Sequence, residues 1–89
     1  MYKQTMLKKL ESVFQKAIID DYALVGVEIQ IAGNPDTEII INKSRSFKSK
    51  LDYYLDKYAE DGCMKVNAAI RIIDVDYADY IDEMKWFKS

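Results

Sequence analysis

Ala23-Leu24-Val25-Gly26-Val27-Glu28-Ile29-Gln30-Ile31, Ala32-Gly33-Asn34-Pro35-Asp36 and Thr37-Glu38-Ile39-Ile40-Ile41-Asn42-Lys43 form one continuous stretch, two apolar runs about a polar break. In its first run Val25, Val27, Ile29 and Ile31 share one face while Gly26, Glu28 and Gln30 take the other. A period of two belongs to an extended strand, whose successive side chains point to opposite sides of a sheet. Gly33-Asn34-Pro35-Asp36 is a turn, because proline fixes φ and has no N–H to give to a central ladder. The run from Thr37 to Lys43 is β-branched at three consecutive isoleucines. Two such runs about a short turn spell a hairpin.

On both sides of the hairpin the period lengthens. Upstream, Met6, Leu7, Leu10, Val13, Phe14, Ala17 and Ile18 recur at three- and four-residue steps, which predicts an amphipathic helix from Tyr2 to about Ile19. Downstream, Ser46 is the better N-cap candidate for a second helix, Phe47 to Glu60, whose stripe is Phe47, Leu51, Tyr54, Leu55 and Tyr58. Gly62 stops it. A third strand is expected over Met64 to Val75, with Val66, Ala68, Ile70 and Ile72 on one face. Asp76 then opens a last helix on the stripe Tyr77, Tyr80, Ile81 and Met84, with Phe87 at its end. Trp86 and Phe87 are expected to divide, one packing inward and the other partly exposed as an anchor for a partner or a second subunit.

The order αββαβα constrains the layout. A strand–helix–strand crossover is right-handed, so a third strand parallel to the second and beside the first gives a sheet order 2-1-3 with antiparallel neighbours. The fold class expected is α+β: a two-layer sandwich, a three-stranded antiparallel sheet with helices on one face. At 89 residues the chain is one domain, 1–89.

Composition excludes several chemistries. With no histidine there is no imidazole base, no Ser-His-Asp or Cys-His pair and no histidine ligand for zinc. The one cysteine, Cys63, has no partner within the chain and reads as a loop thiol after Gly62. The sequence therefore predicts no enzyme, no catalytic residue, no metal and no cofactor, with a metal-dependent enzyme built on Asp74, Asp76 and Asp79 as the weakest of the readings it leaves. The N-terminal segment has no apolar signal-peptide core, and no apolar run approaches the roughly 20 residues of a membrane span, so a cytoplasmic protein is expected.

The formal charge of −2 conceals segregation: +3 over residues 1–19, −5 over 20–42, +4 over 43–50, −3 over 51–61 and −1 over 62–89. Helix macrodipoles favour acids at N-termini and bases at C-termini. The first two predicted helices reverse this. An antiparallel arrangement would set Asp20-Asp21 against the basic 43–50 segment and Glu60-Asp61 against Lys3, Lys8 and Lys9. Two surfaces are candidates for binding. Asp74, Asp76, Asp79, Asp82 and Glu83, with Asp20 and Asp21 expected at the same end of the sheet, form an acidic face interleaved with tyrosines. Such a face can imitate nucleic-acid phosphates and occupy a basic groove on another protein. Alternatively, Lys43, Arg45, Lys48 and Lys50 crowd a helix N-terminus, an arrangement suited to binding a phosphate or nucleic acid directly.

A tiny, acidic, histidine-free α+β domain rich in Lys, Ile, Asp and Tyr resembles the small accessory proteins of phages and prophages of low-GC Gram-positive bacteria. In size, charge and element order it is similar to anti-CRISPR proteins. That resemblance implies an inhibitor acting in the host cytoplasm. Its partner would be a host protein, a CRISPR effector or another nucleic-acid-binding protein, met through the acidic face. Direct binding of nucleic acid is the lesser expectation, no membrane is implied, and a homodimer is the other association considered.

Overall fold

A computed structural model describes residues 4–88. Helix α1 (Met6–Ile19) is followed by strands β1 (Leu24–Ile31) and β2 (Glu38–Lys43), helix α2 (Phe47–Lys57), a two-residue strand β3 (Cys63–Met64) and a long strand β4 (Asn67–Ala78). Short 3-10 turns occupy Ser44–Ser46 and Ile81–Glu83. The sheet is antiparallel throughout, in the order β2-β1-β4-β3. The α+β class and the central place of the first strand are as expected, but the sheet has four strands where three were predicted.

Both helices cover one face. Leu7, Leu10, Phe14 and Ala17 of α1 and Phe47, Leu51 and Tyr54 of α2 close over Val25, Val27 and Ile29 of β1 and Ile72 and Val75 of β4. Phe14 stands edge-on to Phe47, ring centroids 5.8 Å apart, which fixes the crossing of the two helices. Asn42, the one buried polar residue among those described, gives its amide to the Val25 carbonyl at 3.2 Å. Burial costs it little because that donor is satisfied.

Four local expectations are corrected. Helix α1 starts at Met6, where Thr5 caps it by accepting the Lys8 N–H at 3.2 Å; Met1, Tyr2 and Lys3 lie outside the described residues. Helix α2 ends at Lys57 and not at Glu60, because Tyr58 turns to extended backbone (φ −116°, ψ 144°), bridges to Met64 and is buried. Ser46 does hold the N-cap position of α2, but its hydroxyl caps nothing. The predicted third strand is a hairpin, β3 and β4 about Lys65-Val66, so Cys63 lies in a strand and Val66 is 86% exposed at the turn.

The predicted last helix does not form. Strand β4 continues through Asp76 to Ala78 because Val75 and Tyr77 turn towards the helices while Asp76 opposes Gly26 on the other face. Asp74 and Asp76 each accept the N–H of the following residue at 2.9 Å, a local bond that competes with helical pairing. The strand ends at Ala78 and only a 3-10 turn follows, over Ile81–Glu83, so the residues of the expected stripe do not share a face. Of that stripe only Met84 is buried; Tyr80 is 69% and Ile81 51% exposed.

Residues after β4 instead fold back over the second face. A Cβ on Gly26 would lie 2.7 Å from Trp86 Cζ3 and 3.0 Å from Met84 Sδ, so the absent side chain is what lets this segment lie on the sheet. Trp86 Nε1 donates to Glu28 Oε1 at 2.9 Å, and the Thr37 hydroxyl donates to the other oxygen, Oε2, at 2.7 Å. Trp86 therefore packs inward while Phe87 stays 42% exposed, the division expected of the pair.

Candidate interaction surface

The acidic residues divide by position. Asp74 lies where β4 passes beyond the short β3, and its carboxylate is clamped between Lys9 Nζ of α1 at 2.8 Å and Lys85 Nζ of the C-terminal segment at 2.9 Å. Partial burial pushes this carboxyl up, but hydrogen bonds from Lys9, Lys85 and the Val75 N–H outweigh it and hold the pKa at about 2. Asp76 accepts the Lys85 N–H at 2.9 Å besides that of Tyr77. These two carboxylates are engaged in joining α1, β4 and the C-terminal segment.

Beyond them lies a more open group. Asp79 Oδ1 accepts the Ala23 N–H at 3.1 Å, which ties the end of β4 to the α1–β1 connection. That connection carries Asp20, paired with Lys16 Nζ at 2.6 Å, and Asp21, whose φ of 59° makes the tight turn after the helix. Tyr22 and Tyr77 stack beside it with centroids 4.5 Å apart. The two rings, with Asp82, Glu83 and Lys88, line an open hollow of about 410 Å³. Glu83 folds back to accept the Tyr80 N–H at 3.1 Å, whereas Asp82 is exposed. Asp20, Asp21, Asp79, Asp82 and Glu83 thus come to one end of the sheet around tyrosines, with exposed Tyr80 and Ile81 adjoining. Tyr22 was not among the residues singled out from the sequence; its place directly after Asp20-Asp21, at the entry to a strand, was the available signal.

The expected pairing of opposite charges between helix ends does not form among the described residues, and Lys3, one of the bases expected in it, lies outside them. Among the described residues the ion pairs are Lys8–Glu11, Lys9–Asp74, Lys16–Asp20, Lys57–Asp56 and Lys85–Asp74. None joins Asp20 or Asp21 to residues 43–50, although the Ser44 N–H donates to the Ala23 carbonyl at 3.0 Å and brings the segments side by side. At the other ends, α1 and the segment after α2 meet through neutral donors: the Leu7 N–H bonds the Glu60 carbonyl at 3.1 Å and the Thr5 hydroxyl bonds Glu60 Oε2 at 2.8 Å.

Lys43, Arg45, Lys48 and Lys50 are all exposed, and none is in an ion pair among the described residues. Lys50 Nζ lies 5.9 Å from the centroid of the Tyr53 ring. Lys48 also borders a groove of about 420 Å³ between α1 and α2, where Ile18, Ile19 and Leu55 line the walls. No three His, Cys, Asp or Glu side chains among the described residues converge as a cation site, and no helix there is long and apolar enough to cross a membrane. Comparison with protein-family models, curated proteins and solved structures gives no match to the chain.

Proposed function

We propose that this chain is a non-enzymatic interaction module that presents the acidic, tyrosine-lined end of its sheet to a basic surface on a partner protein. The observation that carries this reading is the open hollow at that end, lined by Tyr22, Tyr77, Ala78, Asp82, Glu83 and Lys88, with Asp20, Asp21 and Asp79 adjoining. Carboxylates spaced about aromatic faces match the chemistry of a groove that holds phosphates and bases, and their field would speed encounter with it. Asp74 and Asp76 serve this surface from behind, by fixing the strand and segment that carry the others. The partner class is a host protein that handles nucleic acid; an inhibitor of a CRISPR effector, encoded by a phage and acting in the host cytoplasm, is the case the resemblance suggests.

The test is capture from a bacterial lysate with the native chain and with the double variant Asp21→Lys, Asp82→Lys, chosen because neither carboxylate makes an ion pair or a hydrogen bond among the described residues. Nucleic-acid-binding proteins retained by the native chain, released by duplex DNA and lost with the variant would support the reading; the same retained proteins from both chains would sink it. The exposed cations Lys43, Arg45, Lys48 and Lys50, in no ion pair among the described residues, favour a second reading, direct binding of a nucleic acid or phosphate. It predicts a salt-sensitive gel shift, abolished by Lys48→Glu with Lys50→Glu.

A further inference from the structure

The two long edges of the sheet are finished differently. One is the part of β4 beyond β3. There the outward N–H groups of Val75 and Tyr77 are taken by the carboxylates of Asp74 and Asp76, and Lys9 and Lys85 both reach Asp74. Occupied amides and charges on an edge are how sheets refuse a further strand.

The other edge, β2, is open. The bond from the Ser44 N–H to the Ala23 carbonyl, with the register of β1 on β2, turns the backbone polar groups of Glu38, Ile40 and Asn42 towards β1. Those of Ile39, Ile41 and Lys43 therefore point outward. Among the described residues no bulge and no side-chain cap interrupts this edge, the strand holds no proline, and Ile40 is 39% exposed.

Charge indicates what fits it. Lys43, Arg45, Lys48 and Lys50 stand at one end of β2, and Asp36 and Glu38 at the other. None of the six takes part in an ion pair among the described residues. A strand positive at one end and negative at the other complements a copy of itself turned antiparallel; in a parallel pairing like charges would lie side by side.

We propose that β2 is the interface of a homodimer, pairing edge to edge with the β2 of a second copy about a two-fold axis at Ile40. A two-fold perpendicular to the sheet keeps each face on its own side, so every residue must oppose one that shares its face. The register centred on Ile40 satisfies this. It sets Ile40 against the partner's Ile40 and lets Ile39 and the partner's Ile41 exchange their outward hydrogen bonds. Lys43 then stands opposite the partner's Thr37 on one face, with the partner's Glu38 next along the strand on the other, and Arg45 runs on alongside the acidic turn that holds the partner's Asp36. Two four-stranded sheets become one of eight, with the helices of both copies on one side. A single strand contact of this length belongs with the small, transient interfaces, so the dimer is weak and sensitive to salt. It uses a surface separate from the acidic hollow and does not depend on the function proposed for that hollow.

Sedimentation velocity of the full chain, from about 10 μM to about 0.5 mM as a weak small interface requires, tests this. A monomer–dimer equilibrium that loosens in high salt is expected. Ile40→Lys, which sets like charges opposite each other at the axis, is expected to raise the dimer dissociation constant at least about tenfold. Two charge-reversed chains decide the register: Lys43→Glu with Arg45→Glu, and Asp36→Lys with Glu38→Lys. Each is expected to be monomeric alone, and the two to associate when mixed. Circular dichroism melts establish that each variant is folded, and Ile40→Lys carries the test should a double variant be unstable. A native chain that stays monomeric to the highest concentration, a dimer undiminished by Ile40→Lys, or folded charge-reversed chains that ignore each other would overturn the proposal.

Discussion

Replacing Gly26 by alanine tests how the C-terminal segment is held. The new methyl carbon would sit 2.7 Å from Trp86 Cζ3, 3.0 Å from Met84 Sδ and 3.4 Å from Met84 Cε. Carbon atoms do not approach to 2.7 Å, so something must move. The sheet cannot, because β1 is paired on both sides; the segment carrying Met84 and Trp86 must lift. Overpacking of this kind costs about 1–3 kcal/mol. Complete loss of the Met84 contact would itself cost about 1.5–3 kcal/mol. Against that, alanine gains about 0.5–1 kcal/mol over glycine in a strand. The balance is a net loss of about 1–2 kcal/mol, a fall in Tm of roughly 4–16 °C for a domain of this size. The single tryptophan of the chain is Trp86 itself, so its fluorescence reports the displacement directly. In the folded variant the emission should shift to the red and become more open to acrylamide quenching, while urea unfolding moves to a lower midpoint. Native emission and quenching unchanged, with an unchanged midpoint, would refute the packing of Trp86 on Gly26.

Further outcomes follow from the same structure. Asp74→Asn should cost about 1 kcal/mol near neutral pH, a figure discounted because both lysines of the clamp are partly exposed. Because the folded carboxyl is lowered from 3.8 to about 2, its contribution is complete above the unfolded value and fades as pH falls through that interval; the variant should lack this part of the acid transition in a pH series of urea melts. Gly62→Ala meets both a φ of +92° and a backbone oxygen, Ile72 O, 2.6 Å from the new Cβ, and should destabilise by about 3 kcal/mol or more in the same assay. Burial pushes the Tyr54 phenol up to about 12 from 10.0, and Asn42 offsets only part of that. The unfolded chain ionises there first, so stability should fall as pH climbs through that range, and ultraviolet titration should show a late-ionising tyrosine that Tyr54→Phe removes.

The regular parts of the molecule were legible because each lies in one environment along its length. The stripe of α1 and the alternation of β1 each face a single core, so their periods survive intact. Legibility failed where the environment changes within an element. Strand β4 runs on through Tyr77, with Asp74 and Asp76 bonding their own neighbours, and then gives way to a turn, so a helical spacing from Tyr77 to Met84 arose without a helical face behind it. The grouping of Asp20 and Asp21 with Asp79, Asp82 and Glu83 was visible from connectivity alone. The lysine clamp on Asp74 was not, because it joins residues 65 positions apart in the sequence through side chains that local pattern does not couple. The uneven finish of the two sheet edges was hidden for a similar reason: it depends on which amides face outward, and only the register sets that.

The position of β1 has a consequence for how the chain is made. Its outer neighbours are separated widely in sequence: β2 follows it directly, whereas Leu24 finds Ala78 only after another helix and hairpin have been synthesised. Throughout that interval the nascent hairpin carries an unpaired edge on β1 beside the apolar run Val25, Val27 and Ile29. Cellular handling of the growing polypeptide, by a chaperone or simply by the pace of translation, therefore matters most between the emergence of Asn42 and that of Tyr77. Synonymous codons in this window, which leave every contact unchanged, are where yield of soluble product should be most sensitive.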